Sequence, residues 1–278
     1  MKPIRFLATA CAASILSLGV AMAQPAQPAQ PGTPTYQPES GQAGKDVVWV
    51  PTHQSLVDRM LEMAEVTPND YLIDLGSGDG RTVITAAKRG LRAHGIEYNP
   101  DLVALSQRAA ESEGVKDKAT FAQGDIFETD FSDATVLTLF LLPELNLRLR
   151  PTILEMKPGT RVVSNTFMMD DWEPDQSIES GADCKSFCRA HKWIVPAKVD
   201  GTWKLDNGEL KLTQKFQMLS GELIQNGKSS PLTDARMNGA EITFTADGRV
   251  YKGRVTEGRM ESAGDANGPK WSATRSST

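Results

Sequence analysis

A doubly wound α/β sheet followed by a small antiparallel β extension is the fold class this chain predicts. Three observations carry that expectation. An apolar strand at Tyr71–Leu75 breaks into a turn with glycine at 76, 78 and 80 and then into a helical stretch, Arg81 to Arg89. Further short apolar segments follow, with room for helices between them, as buried parallel strands require. Beyond Trp172 the period changes to strand-like segments separated by glycine-bearing turns.

Leu56 to Ala64 reads as an amphipathic helix, entered through Pro51, Thr52 and His53, which either cover a ligand or simply lead into the helix. Leu72 and Ile73 suit a strand covered on both faces, and Asp74 ends it beside the loop Gly76-Ser77-Gly78-Asp79-Gly80. Strand, glycine turn and helix together put backbone N–H groups at a helix N-terminus, ready for a carboxylate or phosphate. The glycine spacing departs from the G-x-G-x-x-G of dinucleotide sites, which argues against an NAD-dependent oxidoreductase. A carboxylate there would repel two phosphates but attract a ligand carrying an ammonium and a sulfonium, and S-adenosylmethionine is such a ligand.

Partners for that loop appear at the right distances. His94 to Glu97 reads as a second strand ending in an acid about twenty residues on, where a carboxylate accepts ribose hydroxyls. Ala119 to Asp125 is a third, whose Asp125 is placed to accept from an adenine amino group while Ile126 packs on the ring. Tyr98 either packs on the adenosine or fills the core. Ala134 to Leu142 and Thr160 to Met169 supply the fourth and fifth strands.

Asp74-Leu75-Gly76-Ser77-Gly78-Asp79-Gly80, Gly95-Ile96-Glu97-Tyr98-Asn99-Pro100 and Leu141-Leu142-Pro143-Glu144-Leu145-Asn146 together resemble the class I, seven-strand methyltransferases that use S-adenosylmethionine. The match covers roughly Val47 to Trp172, and within that superfamily the three motifs resemble the mitochondrial ATP-synthase c-subunit lysine methyltransferases and their bacterial relatives. The resemblance implies a Rossmann-like sheet, methyl transfer and a methyl-acceptor substrate, with a protein lysine as one candidate. On such a fold the acceptor arrives over the carboxyl ends of the strands, which makes Glu144 and Asn146 the candidate catalytic pair. Glu144 would orient an ammonium or take its proton, and Asn146 would hold the acceptor. The alternative is that Pro143 and Glu144 only start a helix.

The N-terminus points outside the cytoplasm. Lys2 and Arg5 precede an apolar run from Phe6 to Met22, and Ala21-Met22-Ala23 has the small-x-small pattern of a cleavage site. The organisation expected is therefore a signal peptide at 1–23, a Pro/Gln/Gly-rich disordered linker at 24–45, a methyltransferase domain at 46–195 and an antiparallel β-rich domain at 196–278. The mature protein would be periplasmic or secreted, touching a membrane only if the signal stays uncleaved. Cys11 leaves with the signal, so Cys184 and Cys188 remain, either bridged across a small loop or reduced on a helix. The three histidines are scattered, which gives no metal-ligand spacing. Across its 278 residues the chain carries a net charge of −5, too acidic to attract a nucleic-acid backbone.

After Trp172, the segments Lys192–Val195, Gly201–Leu205, Glu209–Leu219, Glu241–Thr245, Val250–Tyr251 and Lys270–Ala273 read as strands of a meander, a curled sheet or a partial barrel. The first one or two complete the α/β sheet. Trp203 and Trp271 either line a binding face or close a small core. Two functions stand at this point: an active methyltransferase, and an exported, non-catalytic binding module that keeps the fold.

Overall fold

The computed structural model describes residues 36–181, 183–263 and 268–276. The expected signal peptide and cleavage site and most of the expected linker lie outside the described residues.

The first helix, α1 (Gln54–Met63), is capped by His53. The strand β1 (Tyr71–Leu75) then leads through the glycine loop into α2 (Arg81–Lys88), and β2 (Arg92–Glu97) into α3 (Pro100–Ser112). The series continues with β3 (Ala119–Gln123), β4 (Val136–Leu139), α4 (Pro143–Leu154) and β5 (Arg161–Asn165). Two antiparallel strands, β6 (Gln176–Glu179) and β7 (Arg189–Ile194), complete a seven-stranded sheet of order β3-β2-β1-β4-β5-β7-β6. Strands β1 to β5 are parallel to one another. Alternate residues feed the two faces: Leu72, Val136 and Val163 pack with α1, α2 and α3, whereas Ile73, Leu137 and Val162 pack with α4. The order reverses between β1 and β4, the crevice where open α/β sheets bind ligands.

Strand β6 was not expected, because Glu173 to Ser180 is polar and carries a proline. As an outer strand it contributes little apolar surface, with only Ile178 half-buried, so no hydrophobic alternation marks it.

The chain continues into β8 (Gly201–Leu205), β9 (Gly208–Lys215), β10 (Met218–Gln225), β11 (Lys228–Pro231) and β12 (Thr233–Asn238). It ends in β13 (Glu241–Ala246), β14 (Arg249–Thr256), β15 (Arg259–Ser262) and β16 (Ser272–Arg275). All neighbours are antiparallel. Strand β9 pairs with both β8 and β10, while β11 and β12 share the far edge of β10, and β16 returns to β8, so the sheet closes into a barrel. The segment read as one strand, Glu209 to Leu219, is a hairpin: Phe216 adopts φ 53 and turns the chain between β9 and β10. Trp203 and Trp271 face the barrel core, at 1% and 9% exposure, which excludes them as an exposed binding face. Phe244 stacks on Tyr251 at 4.8 Å beside Trp271, and Gly253 lets that indole approach the strand backbone.

The hairpin tip fastens the barrel to the α/β sheet. Phe216 stacks on Trp172 at 5.6 Å, and Trp172 Nε1 donates to Gln217 Oε1 at 2.9 Å. Gln217 Nε2 donates in turn to Glu173 O, and Trp193 Nε1 to Trp172 O. Both tryptophans are fully buried. Trp172→Ala should therefore cost about 3–5 kcal/mol and weaken barrel and sheet together, read as one shifted transition in urea by far-UV circular dichroism and tryptophan fluorescence. Separate transitions would show that the junction does not couple them.

Candidate functional site

A cleft opens over the carboxyl ends of β1, β2 and β4, walled by the glycine loop, by Glu97 and Tyr98 after β2, by Asp125 and Ile126 after β3, and by Leu139 to Leu141. The register explains how Asp74 enters it. Parallel pairing sets Asp74 beside Gly95 on one side and Thr138 on the other, and the Thr138 hydroxyl donates to Asp74 Oδ1 at 2.6 Å. Asp74 is buried, and its carboxyl is pushed up to about 7. Burial is the main cause; the charges of Glu97 and Asp79 add to it, and the Thr138 hydrogen bond opposes it.

Glu97 shapes the loop as well as facing the cleft. Its Oε2 accepts from Gly78 N–H at 2.8 Å and its Oε1 from Asn99 N–H at 2.9 Å. Gly76 and Ser77 N–H both donate to Ile96 O, and Gly80 N–H to Ser77 O. These four loop amides, expected to be free for an anionic group, are thus committed inside the protein. Gly76, Gly78 and Gly80 all have positive φ. A Cβ on Gly80 would lie 2.7 Å from the Phe121 ring, and one on Gly78 would lie 2.5 Å from Trp49 Nε1. The Ser77 hydroxyl is buried beneath the loop, without a hydrogen-bond partner among the described residues, where only a glycine at 95 leaves it room.

Tyr98 is half exposed at the cleft edge, so its ring is available to a flat ligand and does not belong to the core. Ile126 also lines the cleft, half-buried against the core that holds Ile96 and Leu139. Asp125 accepts from Phe127 N–H at 3.0 Å and pairs with Lys45, and the Lys45 hydrogen bond holds its carboxyl below the ordinary range. Asn146 is fully buried: its amide donates to Phe167 O and Met168 O at 3.3 Å, and its Oδ1 has no partner among the described residues. It braces the loop after β5 and does not reach into the cleft. Glu144 lies exposed in the first turn of α4, behind Pro143, and is not among the residues that wall the cleft. Its place is that of a helix start, where an acid meets the positive end of the dipole.

Sequence reasoning missed part of the wall. Gln42 to Lys45, read as the end of a linker, border the cleft, and the segment folds back through Gly41 N–H to Trp49 O and Trp49 N–H to Gln42 O. Trp49 lies on Gly78, and Arg81 Nη1 donates to Thr52 O at 2.8 Å; of the three residues read as covering a ligand or leading into the helix, Pro51 and Thr52 line the opening while His53 caps α1. Ser106, on α3, donates to Gly78 O from a fully buried position. Little marks Gln42 to Lys45 or Ser106 in sequence; Trp49, among Val47, Val48 and Val50 just ahead of the first helix, was the one available signal. Cys184 and Cys188 are joined by a disulfide in the loop between β6 and β7.

The residues present suit S-adenosylmethionine. A buried carboxylate stands ready for a cation, an acid at the end of β2 for diol hydroxyls, and an open ring and an apolar side chain for a base. Comparison with known proteins agrees. The family described as the ANTKMT methyltransferase domain matches residues 74–176. The chain is 44% identical over 136 residues to a protein-lysine N-methyltransferase of Saccharolobus islandicus, across 48% of this chain and 84% of that one. It is 35% identical over 136 residues to the human ATP synthase c-subunit lysine N-methyltransferase, covering 49% of this chain but 58% of the human protein. A crystal structure of an RNA methyltransferase from Salinibacter ruber, in complex with S-adenosyl-L-homocysteine, is similar at 47% identity and a TM-score of 0.50, over 54% of this chain and 96% of that one. The likeness falls on the segment that builds the cleft, and the chain belongs to this family of S-adenosylmethionine-dependent methyltransferases.

Proposed function

We propose that this enzyme methylates a protein lysine of the cell envelope. The observation that carries the reading is the pairing of the Asp74–Glu97 cleft with an apolar opening, in a chain whose relatives include named protein-lysine methyltransferases. Asp74 would hold the cofactor's ammonium and Glu97 the ribose hydroxyls. Tyr98 and Ile126 would flank the adenine, with Asp125 accepting from its amino group. The cofactor supplies an electrophilic methyl group and leaves as a neutral thioether. The protein's part is then to align the acceptor and exclude water. A lysine amine, with an ordinary pKa of about 10.4, must first lose a proton, and an apolar approach past Phe140 and Leu141 favours the neutral form. Asn146 contributes by bracing the Phe167–Met168 backbone.

Placement in the envelope rests on the charged start, apolar run and Ala21-Met22-Ala23 of the sequence, and the Cys184–Cys188 bridge suits an oxidising compartment. N-terminal sequencing of the protein from a periplasmic fraction should begin at Gln24; recovery with Met1 in the cytoplasm would overturn the placement.

Incubation of an envelope extract with the enzyme and methyl-tritiated cofactor tests the acceptor. The label should appear in methyllysine after acid hydrolysis of the protein fraction. Label recovered in nucleosides would point to the acceptor class named for the Salinibacter ruber protein and sink the lysine reading.

A further inference from the structure

Three phenylalanines from separate loops meet beside the cleft. Phe140 follows β4 and lines the cleft itself, Phe167 follows β5, and Phe187 stands between β6 and β7 inside the disulfide loop. Their ring centroids lie 6.2 Å apart for Phe140 and Phe167, 5.3 Å for Phe140 and Phe187, and 6.3 Å for Phe167 and Phe187. One aromatic wall thus runs from inside the cleft to a ring that is 41% exposed. Continuity with the cleft distinguishes this exposed ring from a scattered surface apolar residue.

The backbone is held in place to build that wall. Thr166 and Phe187 have φ of 61° and 55°, conformations that bulky or branched residues adopt at a cost and keep only where the surroundings enforce them. Those surroundings are specific. Thr166 N–H donates to Arg189 O at 2.7 Å, and Asn146 braces the next two carbonyls. Ser180 N–H donates to Cys188 O at 2.7 Å, and the disulfide closes the loop around Phe187. Ser55, at the start of α1, lies 2.8 Å from Ser180 Oγ and donates to Asp183 Oδ1 at 3.3 Å, which ties the disulfide loop to the helix whose entry borders the cleft.

We propose that Phe140, Phe167 and Phe187 form the acceptor entrance, and that Phe187, held by the Cys184–Cys188 bridge, is a specificity-determining residue that selects a linear aliphatic amine. The inference rests on the lysine reading and adds the residues that enforce it. A methylene chain packs along flat rings, whereas a branched or strongly hydrated nucleophile loses its water there without compensation. The bridge gives the entrance a dependence on oxidation that the cofactor site does not share.

The test uses two cofactor analogues in which nitrogen replaces the sulfonium, one carrying a methyl group and the other an aliphatic amine arm of lysine length. Calorimetry on the mature chain should show the arm improving affinity at least tenfold. In Phe187→Ala most of that gain should vanish while the methyl analogue binds within twofold of wild type. Phe187→Leu, apolar but without the ring, should fall between, and Cys184→Ser with Cys188→Ser should lose part of the gain with the methyl analogue again unaffected. A full gain surviving in Phe187→Ala, or a parallel loss of both analogues, overturns the assignment of Phe187. An arm that adds nothing in the wild type overturns the lysine reading and the entrance with it, a result separable from the others because the methyl analogue still binds.

Discussion

Glu97→Ala should lower the affinity for S-adenosylmethionine by about 100-fold or more while the protein stays folded. The carboxylate does two jobs through different lone pairs. It fixes the loop by accepting from Gly78 and Asn99 N–H at 2.8 and 2.9 Å, and it faces the cleft where a ribose diol would lie. Hydrogen bonds to a charged group contribute about 1.5–3 kcal/mol each, so losing one loop contact and one ligand contact already reaches two orders of magnitude. Glu97→Gln tests whether both carboxylate oxygens must accept. Its amide has one acceptor oxygen and would set an N–H against one of the backbone N–H donors, so the loop should suffer almost as much as in the alanine variant. Titration calorimetry at pH 8 measures both variants, and thermal unfolding confirms the fold. Affinity within fivefold of wild type for Glu97→Ala would show that this carboxylate is not part of the cofactor site.

The same residue shows why part of the site was legible in sequence. A strand ending in an acid, a glycine turn and a second strand ending in an acid are local patterns, each written within a few residues, and the parallel sheet converts them into neighbours. Thr138 carries no such mark, and Gly95, though it opens one of the motifs, carries no sign of which residue it would face. They matter only because the register sets them on either side of Asp74. Gln42 to Lys45 were missed for a different reason: Pro-, Gln- and Gly-rich composition predicts disorder, and a short segment that folds back on a cleft through two backbone hydrogen bonds has the same composition. In the β region the Asn-Gly and Asp-Gly turns announced several hairpins, but the turn at Phe216 lacks glycine, asparagine and proline, so the apolar run across it read as one strand. Barrel closure depends on pairing β16 with β8, which no local pattern encodes.

Asp74 should make both stability and cofactor affinity depend on pH, in opposite senses. Its carboxyl is pushed up to about 7 by burial among Glu97 and Asp79, against about 3.9 for an aspartate in an unfolded chain. Between these values the folded protein holds a proton that the unfolded chain has released, so this contribution favours the fold most at low pH. Stability from this group therefore falls as pH rises from about 4 to 7 and levels off above. A cationic ligand reverses the preference, because only the carboxylate attracts it. Affinity for S-adenosylmethionine should weaken by up to about tenfold per pH unit below 7, and binding at pH 6.5 should release a proton, seen as a calorimetric heat that varies with the ionisation enthalpy of the buffer. Asp74→Asn keeps the shape and still accepts from Thr138, but cannot ionise. It should lose the proton release and the pH dependence of binding, bind S-adenosylmethionine at least tenfold more weakly at pH 8, and melt higher than wild type at pH 8 without ligand. A buffer-independent heat for the wild type, or an Asp74→Asn variant that binds as tightly at pH 8, would mean that the cofactor's charge is met elsewhere in the cleft.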